Sequence, residues 1–169
     1  MIGRRVVVAA GATLTTGLAG RKPRAAEAGT ALPDVRWTLP DGTVRTIADY
    51  AGKGVVLNLW ATWCVPCVAE MPALDSLAGA VAAAGVLVLP ISSDRGGAIA
   101  VRRFYEQRGD KNLPILLDPM GAAARALGAR GIPTTILIDS RGRERARLEG
   151  GAEWNSAASV RMVKALVEG

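Results

Sequence analysis

The feature that most constrains the fold is a strand pattern that runs directly into a helix pattern. Residues 55–60 read VVLNLW, a nearly continuous apolar run of the kind found in strands covered on both faces. From Cys67 onward, apolar residues recur at helical spacing, at Met71, Leu74, Leu77, Ala78 and Val81. A strand covered on both faces and followed by a helix predicts a layered α/β fold.

The rest of the chain alternates between strand and helix patterns. Residues 35–39 and 43–46 flank Asp41-Gly42, a turn signal that predicts an antiparallel hairpin. The other predicted elements are strands at 86–91, 115–118, 132–139 and 144–148, and helices at 98–108, 121–127 and from an N-cap at Asn155 or Ser156 to 167. The residues that follow the first 28, as far as about Leu32, read as a linker. We therefore expect an α/β sandwich around a mixed sheet, with a β-hairpin at its N-terminal end.

The first 28 residues have the composition of an export signal. Arg4 and Arg5 precede an uncharged run at residues 6–20 that is shorter than the ~20 residues a membrane span needs. The paired arginines leave both twin-arginine and general export open. An uncleaved N-terminal anchor is the alternative, because three basic residues follow the run closely. Both interpretations place one domain, residues 29–169, outside the cytoplasm.

The formal charge of +6 does not indicate a nucleic-acid partner. Five of the 21 basic residues and one of the 15 acidic residues lie in residues 1–28, so the remaining chain carries a net charge of only +2. With one Phe and two Tyr, the chain lacks the mixture of basic and aromatic side chains that binds single strands. We expect no nucleic-acid partner.

Both cysteines of the chain, Cys64 and Cys67, lie within WCVPC at the predicted start of the helix. A structural zinc site needs about four ligands, and the chain offers two cysteines and no histidine. Covalent haem attachment needs CxxCH, but position 68 is Val. A static disulfide across two residues would constrain the unfolded chain little. We therefore expect no metal and no cofactor, and redox chemistry is the favoured use of the pair.

At the N-terminus of a helix, the two thiols would have different environments and different roles. Cys64 would face the positive end of the helix dipole and free N–H groups, which favour the thiolate. Cys67, one turn further on, would be shielded yet close enough to attack a mixed disulfide at Cys64. We expect Cys64 to be the nucleophile and Cys67 the resolving thiol, with Pro66 in the first helical turn, where a proline is tolerated.

Three segments resemble the TlpA/ResA-like family of extracytoplasmic thiol:disulfide oxidoreductases, within the thioredoxin-like superfamily: VVLNLWATWCVPCVAEMP, residues 131–134 and residues 150–154. The resemblance spans roughly residues 32–169. It implies a thioredoxin-like three-layer sandwich in which residues 98–117 form a central helix-strand insertion. It also implies a cis-proline at Pro133 beside the cysteines, where Ile132 and Thr134 contact an extended substrate strand.

One carboxylate near the cysteines is a candidate for proton transfer. Asn58 stands six residues before Cys64, where thioredoxins carry a buried acid, and an amide cannot accept the proton of the resolving thiol. Glu70 lies one turn beyond Cys67 on the same helical face. The resemblance assigns a Glu at this spacing to the active site, so we expect Glu70 to exchange that proton. The alternative is a carboxylate that only complements the helix dipole.

Aromatic and basic residues near the motif allow further predictions. Trp60 is expected in the core, while Trp63 and Pro66, at the edge of the motif, are expected to contact substrate. Four arginines alternate along the last predicted strand, at Arg141, Arg143, Arg145 and Arg147, which places them on one face. A solvated edge strand protected by charge is the simpler interpretation, and a docking site for an acidic partner is the alternative.

Together these patterns predict a thiol:disulfide oxidoreductase that acts in the periplasm as a soluble or N-terminally tethered monomer. The resemblance favours reduction of client proteins with cysteine pairs, in cytochrome c maturation or copper-centre assembly, with a membrane protein as electron donor. The alternative class is a redox-regulated or copper-handling binding module without turnover. A peroxidase is disfavoured because position 61 is Ala where the PxxxTxxC motif has Thr.

Overall fold

The computed structural model describes residues 24–167. In this part of the chain, eight strands form one mixed sheet and four α-helices pack on it. The strands are β1 (Arg24–Ala31), β2 (Arg36–Thr38), β3 (Val44–Thr46), β4 (Gly54–Trp60), β5 (Val86–Ser92), β6 (Leu116–Leu117), β7 (Thr134–Ile138) and β8 (Arg143–Glu149). The helices are α1 (Val65–Val81), α2 (Gly97–Arg108), α3 (Ala122–Ala126) and α4 (Ala157–Lys164).

The order of the strands brings the segment after β4 and the segment before β7 to the same end of the sheet. The order is β1-β8-β7-β4-β5-β6-β2-β3, with β4, β5 and β6 parallel and the other neighbouring pairs antiparallel. Strand β4 is buried along its whole length between β5 and β7, and Leu59 near its end pairs with Thr134 at the start of β7. The cysteine motif after β4 therefore meets Pro133, which precedes β7.

Alternate residues of β4 contribute to two separate core layers. Val56 and Trp60 pack with side chains from α1, α2 and α4, whereas Leu57 and Leu59 pack with α3 and with Trp37 of the N-terminal hairpin. This is the period-two alternation of a central strand covered on both faces. The predicted three-layer sandwich with a mixed sheet is confirmed.

Helix α1 carries the cysteines on its first turn and much of the core on its buried face. That face consists of Cys67, Glu70, Met71, Leu74, Leu77, Ala78 and Val81. A short 3-10 turn, Ala82–Ala84, ends at Gly85, whose φ of 77° is the left-handed conformation that glycine adopts without strain. Residues Val65–Ala84 are long and apolar enough to cross a membrane, but a helix packed into the core of a globular domain has the same composition.

The predicted hairpin and insertion are both present. Strand β2 pairs with β3, as the Asp41-Gly42 turn indicated, and also with β6, so the hairpin extends the sheet at one edge. Helix α2 and strand β6 form the helix-strand insertion between β5 and α3. Ser156 is the N-cap of α4, and its hydroxyl accepts a hydrogen bond from the N–H of Ser159.

Strand β1 is an element that the sequence did not predict. The linker prediction for the residues from about 29 to 32 was wrong, because residues 24–31 form a strand that pairs antiparallel with β8. The sequence RAAEAGTA has one β-branched residue, so its strand conformation comes from backbone pairing rather than from intrinsic propensity. Of the export signal or anchor predicted at 1–28, residues 1–23 lie outside the described residues.

The edge-strand interpretation of the arginines was also wrong. Strand β8 lies between β7 and β1, and its register shifts by one residue at Arg145. This irregularity breaks the strict alternation and lets Arg147 form a half-buried ion pair with Glu144 at 2.8 Å. Arg145 pairs with the buried carboxylate of Asp139 at 3.3 Å. At least two of the four arginines are therefore used in contacts within the domain.

Candidate functional site

The cysteine pair lies where β4 ends and α1 begins. Cys64 is the N-cap of α1, and its Sγ accepts a hydrogen bond from the N–H of Cys67 at 3.3 Å. Pro66 occupies the first helical turn, where its missing N–H leaves no hydrogen bond unmade. A disulfide joins the two cysteines, whose Cα atoms are 5.2 Å apart. Cys67 is completely buried and Cys64 is 6% exposed, so the pair meets solvent only through Cys64.

The segment before β7 packs against Cys64. The Ile132–Pro133 peptide bond is cis, as the resemblance implied, and the carbonyl oxygen of Ile132 lies 3.7 Å from the Sγ of Cys64. The carbonyl of Pro133 accepts a hydrogen bond from Gly150 at 2.8 Å. Thr134 is buried, and its hydroxyl donates to the carbonyl of Gly131 at 2.7 Å. The hydroxyl of Thr134 is thus engaged within the turn, while Ile132 borders the sulfur.

Apolar side chains surround the exposed edge of the cysteine pair. Trp63 is 66% exposed and Val65 is 80% exposed, on either side of Cys64 in the sequence. Pro66 is also exposed, and Ile132 is half-buried. Trp60, in contrast, is fully buried and stacks on Tyr105 with ring centroids 5.8 Å apart, which confirms its predicted core position.

A buried carboxylate fixes the chain just before the cysteines. Asp94, which follows β5, accepts hydrogen bonds from the backbone N–H of Thr62 at 2.9 Å and from its hydroxyl at 2.6 Å. The hydroxyl of Ser92 donates to the same carboxylate at 2.7 Å. Asp94 is only 4% exposed, so these contacts replace the water that the charge would otherwise bind. The loop from β4 to Cys64 is therefore tied to the end of β5.

Glu70 is buried behind the cysteines in contact with three N–H donors. Its Oε1 accepts from the Nδ2 of Asn58 at 2.9 Å. Its Oε2 accepts from the backbone N–H of Ala152 and from the indole Nε1 of Trp154, both at 3.1 Å. We call these donors, from Asn58, Ala152 and Trp154, the Glu70 cage.

Two opposing effects act on the Glu70 carboxyl. Burial raises its pKa above the ordinary value of 4.5, because a charge is poorly solvated there. The hydrogen bonds from Asn58, Ala152 and Trp154 favour the carboxylate and lower the pKa, but they offset the effect of burial only in part. The pKa of Glu70 is therefore raised.

Asn58 joins this site to β7. Its side chain is fully buried, and Nδ2 donates to the Oγ1 of Thr135 at 2.9 Å as well as to Glu70. Its Oδ1 has no hydrogen-bond partner in the described structure. The sequence indicated Glu70 as a candidate site residue and Asn58 as the replacement for a buried acid, but it did not predict the hydrogen bond between their side chains.

Sequence reasoning missed Ala152, Trp154 and Asp94. Residues 150–154 were noted only as part of a resemblance, although a buried Trp needs an acceptor for its indole N–H. That requirement, together with the single carboxylate on the buried face of α1, was the available signal. Nothing comparable in the sequence links Asp94 to Thr62.

Comparison with known proteins assigns the chain to a family. The Redoxin family model matches residues 27–163, most of the chain. The chain belongs to the Redoxin family. Within it, the thiol-disulfide oxidoreductase ResA of Geobacillus thermodenitrificans is 34% identical over 122 residues, which cover 72% of this chain and 69% of the relative. ResA of Bacillus cereus is 33% identical over 142 residues, which cover 84% and 80%.

Solved structures confirm the thioredoxin-like fold of this Redoxin-family chain. A secreted thiol-disulfide isomerase from Corynebacterium glutamicum superimposes with a TM-score of 0.74 at 26% identity, over 90% of this chain and 96% of the other. The exposed lipoprotein thioredoxin of Streptococcus pneumoniae gives a TM-score of 0.63 at 29% identity, over 76% and 98%. The ResA/TlpA-like assignment is confirmed, and the chain is a thiol:disulfide oxidoreductase whose partners are cysteine-containing proteins.

Proposed function

We propose that this oxidoreductase works outside the cytoplasm and reduces disulfides of client proteins, with Cys64 as nucleophile and Cys67 as resolving thiol. The observation that carries the proposal is the unequal burial of the two sulfurs. Cys64 reaches the surface beside exposed apolar side chains, whereas Cys67 is completely buried. A client sulfur can approach the first cysteine and cannot reach the second.

The reaction transfers two electrons from the dithiol to the client. The Cys64 thiolate attacks one sulfur of the client disulfide, and the other client sulfur leaves as a thiolate. Cys67 then loses its proton and attacks the Sγ of Cys64, which releases the second client sulfur. The products are a reduced client and the Cys64–Cys67 disulfide, the form present in this structure.

The N-terminus of α1 supports Cys64 as the thiolate. A thiolate at the N-cap accepts the N–H of Cys67, as the sulfur does here at 3.3 Å. It also lies at the positive end of a helix of 17 residues. Both effects stabilise negative charge on Cys64 rather than on Cys67.

Glu70 is the proposed acceptor for the proton of Cys67. The two residues are three positions apart on α1, so their Cβ atoms lie about 5–6 Å apart, and both side chains are buried. Burial raises the pKa of Glu70, which brings it closer to that of a thiol and eases proton exchange between them. Asn58 cannot take this role, because an amide does not accept a proton.

The proposed client surface consists of the exposed Trp63 and Pro66 and the half-buried Ile132, backed by Pro133 and Thr134, which are buried. Trp63 and Pro66 are exposed beside Cys64, and an exposed apolar side chain gains free energy when a partner covers it. The backbone of Ile132, whose carbonyl lies against the sulfur, would pair with an extended client segment.

Export and cellular role belong to the same proposal. Residues 1–28 would serve as an export signal or anchor for a monomeric domain at 29–169 in the periplasm. The solved relatives named as secreted and as an exposed lipoprotein support this location. The clients would be proteins of cytochrome c maturation or copper-centre assembly, and a membrane protein would return the electrons.

Trapping tests the proposal in the native host. Replacing Cys67 with Ala prevents resolution, so clients should accumulate as mixed disulfides on Cys64 that reductant releases. The double variant Cys64→Ala/Cys67→Ala is the matched control and should trap nothing. Clients trapped equally by a Cys64→Ala single variant, or no envelope client on Cys67→Ala, would contradict the assigned roles.

A further inference from the structure

The hydrogen bonds of Glu70 all come from donors of one kind. In residues 24–167, its partners are the N–H groups of Asn58 on β4, Ala152 and Trp154, the last two in the segment between β8 and α4. None of them is a carbonyl, a hydroxyl or a charged group. A carboxylate can accept all three bonds, but a neutral carboxyl must donate its O–H to an acceptor.

Protonation of Glu70 would therefore give it an O–H for which none of these three partners is an acceptor. A buried polar group without a partner is costly, so the cage favours the carboxylate while burial favours the neutral acid. Asn58 is the one partner that could adapt, because its Oδ1 has no partner and rotation of the amide would turn this oxygen toward Glu70.

The segment between β8 and α4 also borders the Oε2 atom of Glu70. Gly151 is exposed, and a Cβ at this position would lie 3.6 Å from the Oε2 of Glu70 and 3.9 Å from the carbonyl of Pro66. Gly151 therefore places no side chain over Oε2. Trp154, next in this segment to contact Oε2, is completely buried.

We propose that Asn58, Ala152 and Trp154 are positioning residues that hold Glu70 as a carboxylate one helical turn from Cys67, and that Gly151 leaves Oε2 open to water for return of the proton. The proposal rests on the proton-accepting role proposed above for Glu70. The groups that face Glu70 are the three cage donors and, on its own helix, Cys67. The segment after β8 is thereby part of the redox site, although it lies more than 80 residues from Cys67.

The test measures the titration of Glu70 in the disulfide form, in which neither cysteine titrates. The side-chain carboxyl ¹³C signal, assigned with Glu70→Gln, is followed by NMR against pH. Trp154→Phe removes one donor and keeps most of the apolar volume. The pKa of Glu70 should rise by about one unit, a tenfold gain in proton affinity. Trp37→Phe is the matched control, because Trp37 is equally buried but in the other core layer.

Two further variants keep the test decisive if Trp154→Phe does not fold. Asn58→Leu removes the donor to Oε1 and should also raise the pKa of Glu70. Gly151→Ala removes no donor, and its methyl group fits in ordinary contact, so it should raise the pKa less, by excluding water. If the folded variants shift the pKa of Glu70 no more than Trp37→Phe does, the proposed role of the Glu70 cage is wrong.

A second measurement separates this inference from the role of Glu70. In the reduced protein, the pH dependence of Cys67 alkylation should move in the same variants that shift Glu70. If the Glu70 titration shifts but the alkylation profile does not, the cage holds the carboxylate and the proposed proton exchange is wrong. If neither moves, the cage itself is wrong.

Discussion

Replacing Thr62 with Val tests the link between the cysteine loop and β5. Valine keeps the shape of threonine and the backbone N–H that donates to Asp94, but it removes the hydroxyl that lies 2.6 Å from Oδ1. Asp94 keeps the donors on Oδ2, from Thr62 N–H and Ser92, whereas Oδ1 is left without one. One oxygen of a buried carboxylate thus loses its hydrogen bond.

The expected cost follows from the charge and burial of the acceptor. A hydrogen bond to a charged group contributes about 1.5–3 kcal/mol to stability. The free energy of unfolding of Thr62→Val should therefore be about 2 kcal/mol lower than that of the wild type. If the free energy of unfolding falls by about 2 kcal/mol for each molar increase in urea, the unfolding midpoint of the disulfide form should fall by about 1 M. The slope of the transition should not change.

Thr38→Val is the matched control. Thr38 is also half-buried, but its hydroxyl donates to an uncharged carbonyl, that of Leu117, at 3.4 Å. A bond of this length to a neutral acceptor should contribute less than about 1 kcal/mol. Equal and small midpoint shifts in the two variants would refute the argument that Asp94 holds the loop.

Three further predictions concern the carboxylate, the client surface and the core. Burial raises the pKa of Glu70 above 4.5, so its stabilising contribution is complete below that value and is lost as the pH rises through the folded-state pKa. The unfolding free energy of the wild type minus that of Glu70→Gln should accordingly decrease with rising pH, and a flat difference measured by urea titration would contradict the shift. Trp63→Ala should raise KM for a disulfide-bonded protein substrate with little change in kcat, whereas Ile99→Ala, which removes an even more exposed apolar side chain from α2, should change neither. Leu74→Ala, in the buried face of α1, should lower the free energy of unfolding measured in urea by about 2–5 kcal/mol. A decrease no larger than that of Ile99→Ala would show that this face is not packed as described.

The parts of the fold that follow local pattern could be predicted from the sequence. The run VVLNLW is apolar on both sides because β4 is central, and the helical spacing after Cys67 matches the buried face of α1. The hairpin followed from Asp41-Gly42, a turn whose geometry depends on adjacent residues only. These signals are short-range and do not depend on distant contacts.

The predictions that were wrong or missing concern features that depend on contacts between segments distant in the sequence. Strand β1 exists through its pairing with β8, which no property of RAAEAGTA indicates. The register shift at Arg145 depends on how β8 meets β7, so strict alternation gave the wrong account of the arginines. At the site, Asn58 and Trp154 contact Glu70 from 12 and 84 positions away, which spacing along one helix cannot reveal.

The wide separation of the Glu70 partners along the chain has a consequence for how such proteins can diverge. The sulfur atoms and the helix that carries them come from one short stretch, whereas two of the three cage donors come from residues 152 and 154. Substitutions after β8 can then alter the proton chemistry of the dithiol while CVPC stays unchanged. Two relatives that share CVPC but differ at these positions after β8 would work over different pH ranges, and comparison of their motifs alone would not show it.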